Sequence, residues 1–137
     1  MTPNFTLAEL TRTDHRSLDN IPDPAALVNL KRLAEFLELV KSRLGGRPIM
    51  VNSAYRSKAV NDAVGSKDSS QHRLGCAADI RVPGMTPNEV VRAVMASGLD
   101  YDQIIRELTW THISIPNSGA PRKMALIIDK AGTRPFS

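Results

Sequence analysis

Ser70-Gln71-His72-Arg73-Leu74-Gly75-Cys76-Ala77-Ala78-Asp79 sets an imidazole and a carboxylate seven residues apart across a glycine. That is a metal-site spacing. From Cys76 to Val82 the chain alternates, with Ala77, Asp79 and Arg81 on one face and Ala78, Ile80 and Val82 on the other, as a half-buried strand does. Asp79 therefore points away from the more apolar face. A second imidazole stands in Trp110-Thr111-His112-Ile113-Ser114-Ile115, which also reads as a strand. Two imidazoles and a carboxylate leave one position of a tetrahedral zinc open, as catalytic zinc sites do for water.

Outward from this stretch, the strongest helix signal lies upstream. Asp23 is placed to cap it, Pro24 occupies the first helical position, and Leu27, Leu30, Leu33, Leu37, Val40 and Leu44 recur at three- and four-residue steps until Gly45-Gly46. Thr6-Leu7-Ala8-Glu9 and Thr86-Pro87-Asn88-Glu89 both read as capping boxes, the second opening a helix through Val90, Val91, Val94 and Met95 to Gly98. Pro48 to Ser53 reads as a strand with Arg56 just beyond it, Lys58 to Val64 as a short helix, and Ser66-Lys67-Asp68-Ser69-Ser70 as a polar loop delivering His72. Asp102 to Glu107, Trp110 to Ile115 and Lys123 to Ile128 close the chain as strands. The fold expected is α+β, a small mainly antiparallel sheet carrying the site with helices packed on one side.

At 137 residues, one domain is expected over residues 1–137, large enough for a core without disulfides. The only cysteine, Cys76, cannot form an intramolecular disulfide, in keeping with a reducing compartment of synthesis. It reads as a small buried packing residue, with a ligand or redox role as the alternative. No apolar run is long enough to span a bilayer, and Met1 to Leu10 lacks the features of a secretory signal, so cytoplasmic synthesis is expected. The net charge of +4 is scattered rather than gathered on an aromatic-rich strand, which argues against a nucleic-acid partner and suits an anionic cell wall equally well.

The ten-residue pattern Ser-x-His-x-x-Gly-x-Ala-x-Asp resembles the signature of the zinc D-alanyl-D-alanine peptidases, which include bacterial carboxypeptidases, dipeptidases and phage L-alanyl-D-glutamate endopeptidases and share the hedgehog-domain fold. Phe5 to Leu10, Asn52 to Ser57, Val60-Asn61, Asp102 to Ile105 and Trp110 to Ser114 resemble the compact phage-type branch. By that resemblance His72, Asp79 and His112 would ligate Zn2+, Arg56 would hold a substrate carboxylate or a developing oxyanion, and Ser70 would either contact substrate or make a loop hydrogen bond. The resemblance implies a monomeric enzyme acting on peptidoglycan stem peptides after release to the wall, with a separate membrane-permeabilising holin. An L-alanyl-D-glutamate endopeptidase is expected first, a D-alanyl-D-alanine carboxypeptidase second, and an inactive zinc-containing wall-binding or phage structural module third.

The general base is less plain. Some branches of the family carry an acid three residues before the last histidine ligand and others a histidine two before it, and here those positions are Thr109 and Trp110. Glu107 is the nearest carboxylate, but on one uninterrupted strand its odd spacing from His112 would put it on the wrong face. A turn at Leu108-Thr109 would bring it back, as base rather than as a salt-bridged strand-end glutamate. Asp102 is held in reserve, and His15 is expected to be solvated.

Overall fold

The computed structural model describes residues 1–67 and 69–136. Asp68, in the polar loop expected before His72, lies outside them. In chain order the elements are α1 (Leu7–Leu10), α2 (Pro24–Arg43), β1 (Met50–Ser53), α3 (Lys58–Ala63), β2 (Ala77–Arg81), α4 (Pro87–Ser97), β3 (Gln103–Arg106), β4 (Thr111–Ser114), β5 (Met124–Asp129) and β6 (Gly132–Pro135). The strands form one sheet in the order β1-β2-β4-β3-β5-β6. All neighbours run antiparallel except β3 and β5. The architecture is α+β, as the patterning suggests.

Each long helix begins where its side chains satisfy the orphan amides of the first turn. The Asp23 carboxylate accepts from the Ala26 amide at 2.8 Å, and Pro24 follows it. In α4, the Thr86 hydroxyl accepts from the Glu89 amide while the Glu89 carboxylate accepts from the Thr86 amide. Gly98 then ends α4 in the left-handed conformation, at φ 76°.

The core lies between α2, α4 and one face of the sheet. Leu30, Leu33 and Leu37 are fully buried there against Val90, Val91, Ile80 and Ile113. Burying one such aliphatic side chain contributes about 1.5–3 kcal/mol. Two members of the expected stripes lie outside this core: Leu27 is 40% exposed and Met95 43%. At 3.6 residues per turn the inward face of α2 passes through Ala26 and Ala34 instead. Small residues there let the loop before β2 approach closely. Gly75 rests on that turn at φ +77°, where an added Cβ would lie 2.7 Å from the Ala26 carbonyl oxygen.

The register places the candidate donors side by side on the other face of the sheet. Asp79 pairs with His112, His112 with Ile105, and Ile105 with Leu126, so the four cross the sheet in one row. A bulge between Val51 and Ser53 shifts β1 just before the chain turns into Arg56. Strand β6 was not expected. Gly132-Thr133-Arg134-Pro135 has no apolar alternation and is wholly exposed, and it is held by hairpin pairing to β5 and by the Arg134–Asp129 ion pair at 2.7 Å. No described helix is long and apolar enough to cross a membrane.

Candidate metal centre

His72, Asp79 and His112 come from three places in the chain: the end of the polar loop, the middle of β2 and the middle of β4. Each offers one ligand atom, and the three atoms lie within 4.8 Å of one another. Asp79 Oδ1 is 3.3 Å from His72 Nε2 and 3.2 Å from His112 Nδ1. A tetrahedron with bonds of about 2.0–2.1 Å has edges of about 3.3 Å, so both separations suit zinc. The imidazole rings meet edge to face, with centroids 5.2 Å apart.

The hydrogen bonds around the donors show that the centre fits a cation. His72 Nδ1 lies 2.7 Å from the Ala54 carbonyl oxygen, which can only accept, so Nδ1 carries the proton and neutral His72 presents a bare lone pair at Nε2. That lone pair faces a carboxylate oxygen. Only a proton or a cation between them removes the repulsion. Burial alone would raise the Asp79 carboxyl, but His112 and His72, when protonated, supply the hydrogen bonds and charge that a bound cation would replace, and these hold Asp79 well below the ordinary carboxylate range.

Arg56 occupies the other oxygen of the same carboxylate. Its Nη2 donates to Asp79 Oδ2 at 3.2 Å, while Nε and Nη1 donate to the hydroxyls of Ser53 and Ser66. Three of the five N–H donors of the guanidinium are thereby engaged, which orients Asp79 and leaves two. Buried Asn61 secures this wall, donating from Nδ2 to the carbonyls of Ser66 and Lys67.

Glu107 reaches the cleft because β3 and β4 are a hairpin rather than one strand. Its amide donates to the Trp110 carbonyl at 3.0 Å across Leu108-Thr109, so Glu107 and Trp110 face each other as Ile105 and His112 do. Side chains opposed in an antiparallel pair share a face, which resolves the odd spacing. The Trp110 indole N–H donates to Glu107 Oε2 at 2.9 Å, leaving Oε1 free of that bond. Burial, reinforced by the charge of Asp79, pushes the Glu107 carboxyl above its ordinary value despite opposing contributions from His112, Trp110 and Arg56. Together Glu107, Arg56 and the three donors line an open cleft of about 740 Å³.

A family model described as Peptidase M15 matches residues 3–114. The chain belongs to the M15 peptidase family. The zinc D-Ala-D-Ala carboxypeptidase of Streptomyces albus G is 35% identical to it over 78 residues, which are 56% of this chain and 31% of that relative. The M15 chain thus spans about a third of the length of the curated relative it matches.

Other candidate residues of this M15 chain fall in different places. Ser70 accepts from the His72 amide at 3.2 Å and also lines the cleft, so the loop hydrogen bond is present. Cys76 is fully buried in the core, with its thiol pushed up by burial. His15 is exposed. Asp102, the reserve base, does not line the cleft. It is 3% exposed and locked by Arg122, which donates to it from the backbone amide, Nε and Nη2. A carboxylate so bonded has no oxygen to offer a water.

Three participants were not anticipated from the sequence: Trp110 as a donor to Glu107, the Ser53 and Ser66 hydroxyls on Arg56, and the Gln71–Asp102–Arg122 cluster. Only the first had a local signal, since Glu-x-x-Trp is the spacing that a two-residue hairpin turn brings face to face. In the other two, Ser66 lies 10 residues from Arg56 and Arg122 lies 20 from Asp102 with no periodicity to link them, and Ser53, although three residues from Arg56, carries no pattern that would mark the bond.

Proposed function

We propose that this chain is a zinc peptidase of bacterial cell-wall peptides, cutting peptidoglycan stem peptides between L-alanine and D-glutamate. The observation that carries the reading is Glu107, held by Trp110 in the same open cleft as His72, Asp79 and His112. Zinc, when bound by these three residues, supplies Lewis acidity toward the scissile carbonyl and lowers the pKa of water. Glu107 takes the proton from the water whose oxygen attacks the carbonyl carbon. As the carbon–nitrogen bond breaks, it passes that proton to the departing amine. A carboxyl raised by burial suits both halves of this exchange. Arg56, after orienting Asp79, has N–H groups left to steady the developing oxyanion or a substrate carboxylate, and Ser70 would contact the peptide at the cleft rim.

A D-alanyl-D-alanine carboxypeptidase is the second reading, favoured by the name of the Streptomyces relative. Purified protein digesting muropeptides, with products weighed by mass spectrometry and a chelator control, separates the two. Release of stem peptide lacking L-alanine supports the endopeptidase, and loss of a terminal alanine alone supports the carboxypeptidase. No chelator-sensitive product from zinc-loaded protein overturns both, and leaves the inactive wall-binding or phage structural module.

A further inference from the structure

The far end of the cleft is built by residues beyond the 3–114 family match. Arg122, Leu126 and Ile128 line it together with Gln103 and Ile105. Arg122 is unusual among them. Its anchor, Asp102, is buried beneath the cleft wall, where it accepts from the Arg122 amide at 2.9 Å, from Nε at 3.1 Å and from Nη2 at 2.7 Å, and from Gln71 Nε2 at 2.8 Å. The guanidinium is therefore held in one orientation before any ligand arrives. Its Nη1 makes no hydrogen bond to a described residue, and the side chain is 52% exposed. An arginine serving only to pin β5 to β3 would need no such opening.

We propose that Arg122 is a second recognition point in the cleft, reading a carboxylate of the peptide substrate at a distance from the bond that is cut. The preorganised fork offers a charge-assisted hydrogen bond with its orienting entropy already lost. Between it and the metal centre runs an apolar floor, since Ile105 pairs with His112 and Leu126 with Ile105. Two strand spacings separate His112 from Leu126, on the order of 10 Å, which an extended peptide covers in two or three residues. Arg122 precedes Leu126 by four residues, about 13 Å back along the strand direction, so the group it reads lies about three to five residue lengths from the scissile amide, a span the two side chains help to close. The ligand class is an acidic peptide with an aliphatic stretch between the cut bond and the carboxylate.

This inference rests on the peptidase reading, and the test separates the two. The probes are L-Ala-γ-D-Glu-X tripeptides in which X is 2-aminopimelate or its side-chain carboxamide, with initial rates measured on zinc-loaded protein. Wild type is expected to prefer the carboxylate about tenfold or more in kcat/KM, chiefly through KM. Arg122→Gln should bring the ratio to near unity, and Arg122→Lys should restore part of it. Because Arg122→Gln leaves Asp102 buried without its cation, the Asp102→Asn/Arg122→Gln pair is measured alongside and should also lose the preference. A structural role alone would slow both peptides equally and leave the ratio intact, which overturns the assignment. Equal cleavage of the two probes by wild type overturns it as well. Cleavage of neither overturns the peptidase reading, and this assignment with it.

Discussion

Trp110 holds Glu107 by an indole N–H to carboxylate bond of 2.9 Å across a two-residue turn. In the proposed mechanism that bond decides which oxygen handles the proton. Glu107→Gln keeps the shape and the bond acceptor but cannot take a proton. It should cut kcat about 10²–10⁴-fold with zinc content unchanged by elemental analysis. Trp110→Phe removes the donor together with one ring of the indole and should cost kcat less than Glu107→Gln does. An active Glu107→Gln protein would remove Glu107 from the mechanism.

Zinc should stabilise the fold by an amount that grows with the logarithm of its concentration over Kd. With His72 neutral its Nε2 lone pair faces Asp79 Oδ1, so metal-free protein should melt lower, and adding zinc at 100 times its Kd should contribute about 2.7 kcal/mol. His112→Ala should abolish most of that gain in a thermal melt. Arg56→Ala leaves all three donors but frees Asp79 Oδ2, and should weaken zinc about 10–100-fold by competition with a chelating dye.

Gly75 supports the site from the core side. Gly75→Ala combines a positive φ with a Cβ 2.7 Å from backbone, so it should destabilise by more than about 1 kcal/mol in urea unfolding. Gly45→Ala, at φ +75° with nothing within 4 Å, carries the strain without the collision and should cost less.

Acid should loosen the cleft through Asp102. The hydrogen bonds from Arg122, opposed by burial, lower its carboxyl to about 2. A folded-state value below the unfolded one means that the stabilisation is present above about pH 4 and is lost as pH falls towards 2, on the order of 2 kcal/mol in all. Unfolding free energy measured across that window should fall less steeply in Asp102→Asn than in wild type.

How much of this was legible beforehand varies by residue. His72 and Asp79 share one motif, and His112 sits in an alternating strand, so their residue types and spacings pointed to a metal without coordinates. The capping residues Asp23 and Thr86 marked their helices for the same local reason. Strand β6 was invisible because pairing with β5, and not burial, holds it. Leu27 was misjudged because periodicity specifies a stripe but not its edge.

By itself the sequence determined what is local: the helix starts and stops, the alternation that turns Asp79 away from the core, and the donor types of the metal centre. Each rests on interactions spanning a few residues, which composition and spacing encode directly. Tertiary structure alone decided that Arg56 takes the second oxygen of Asp79, that Glu107 faces Trp110, and that Arg122 reaches the cleft over buried Asp102. Those relations follow from strand register and from which strands become neighbours. That order is chosen by burial of the whole apolar face at once, and no short window of residues contains it.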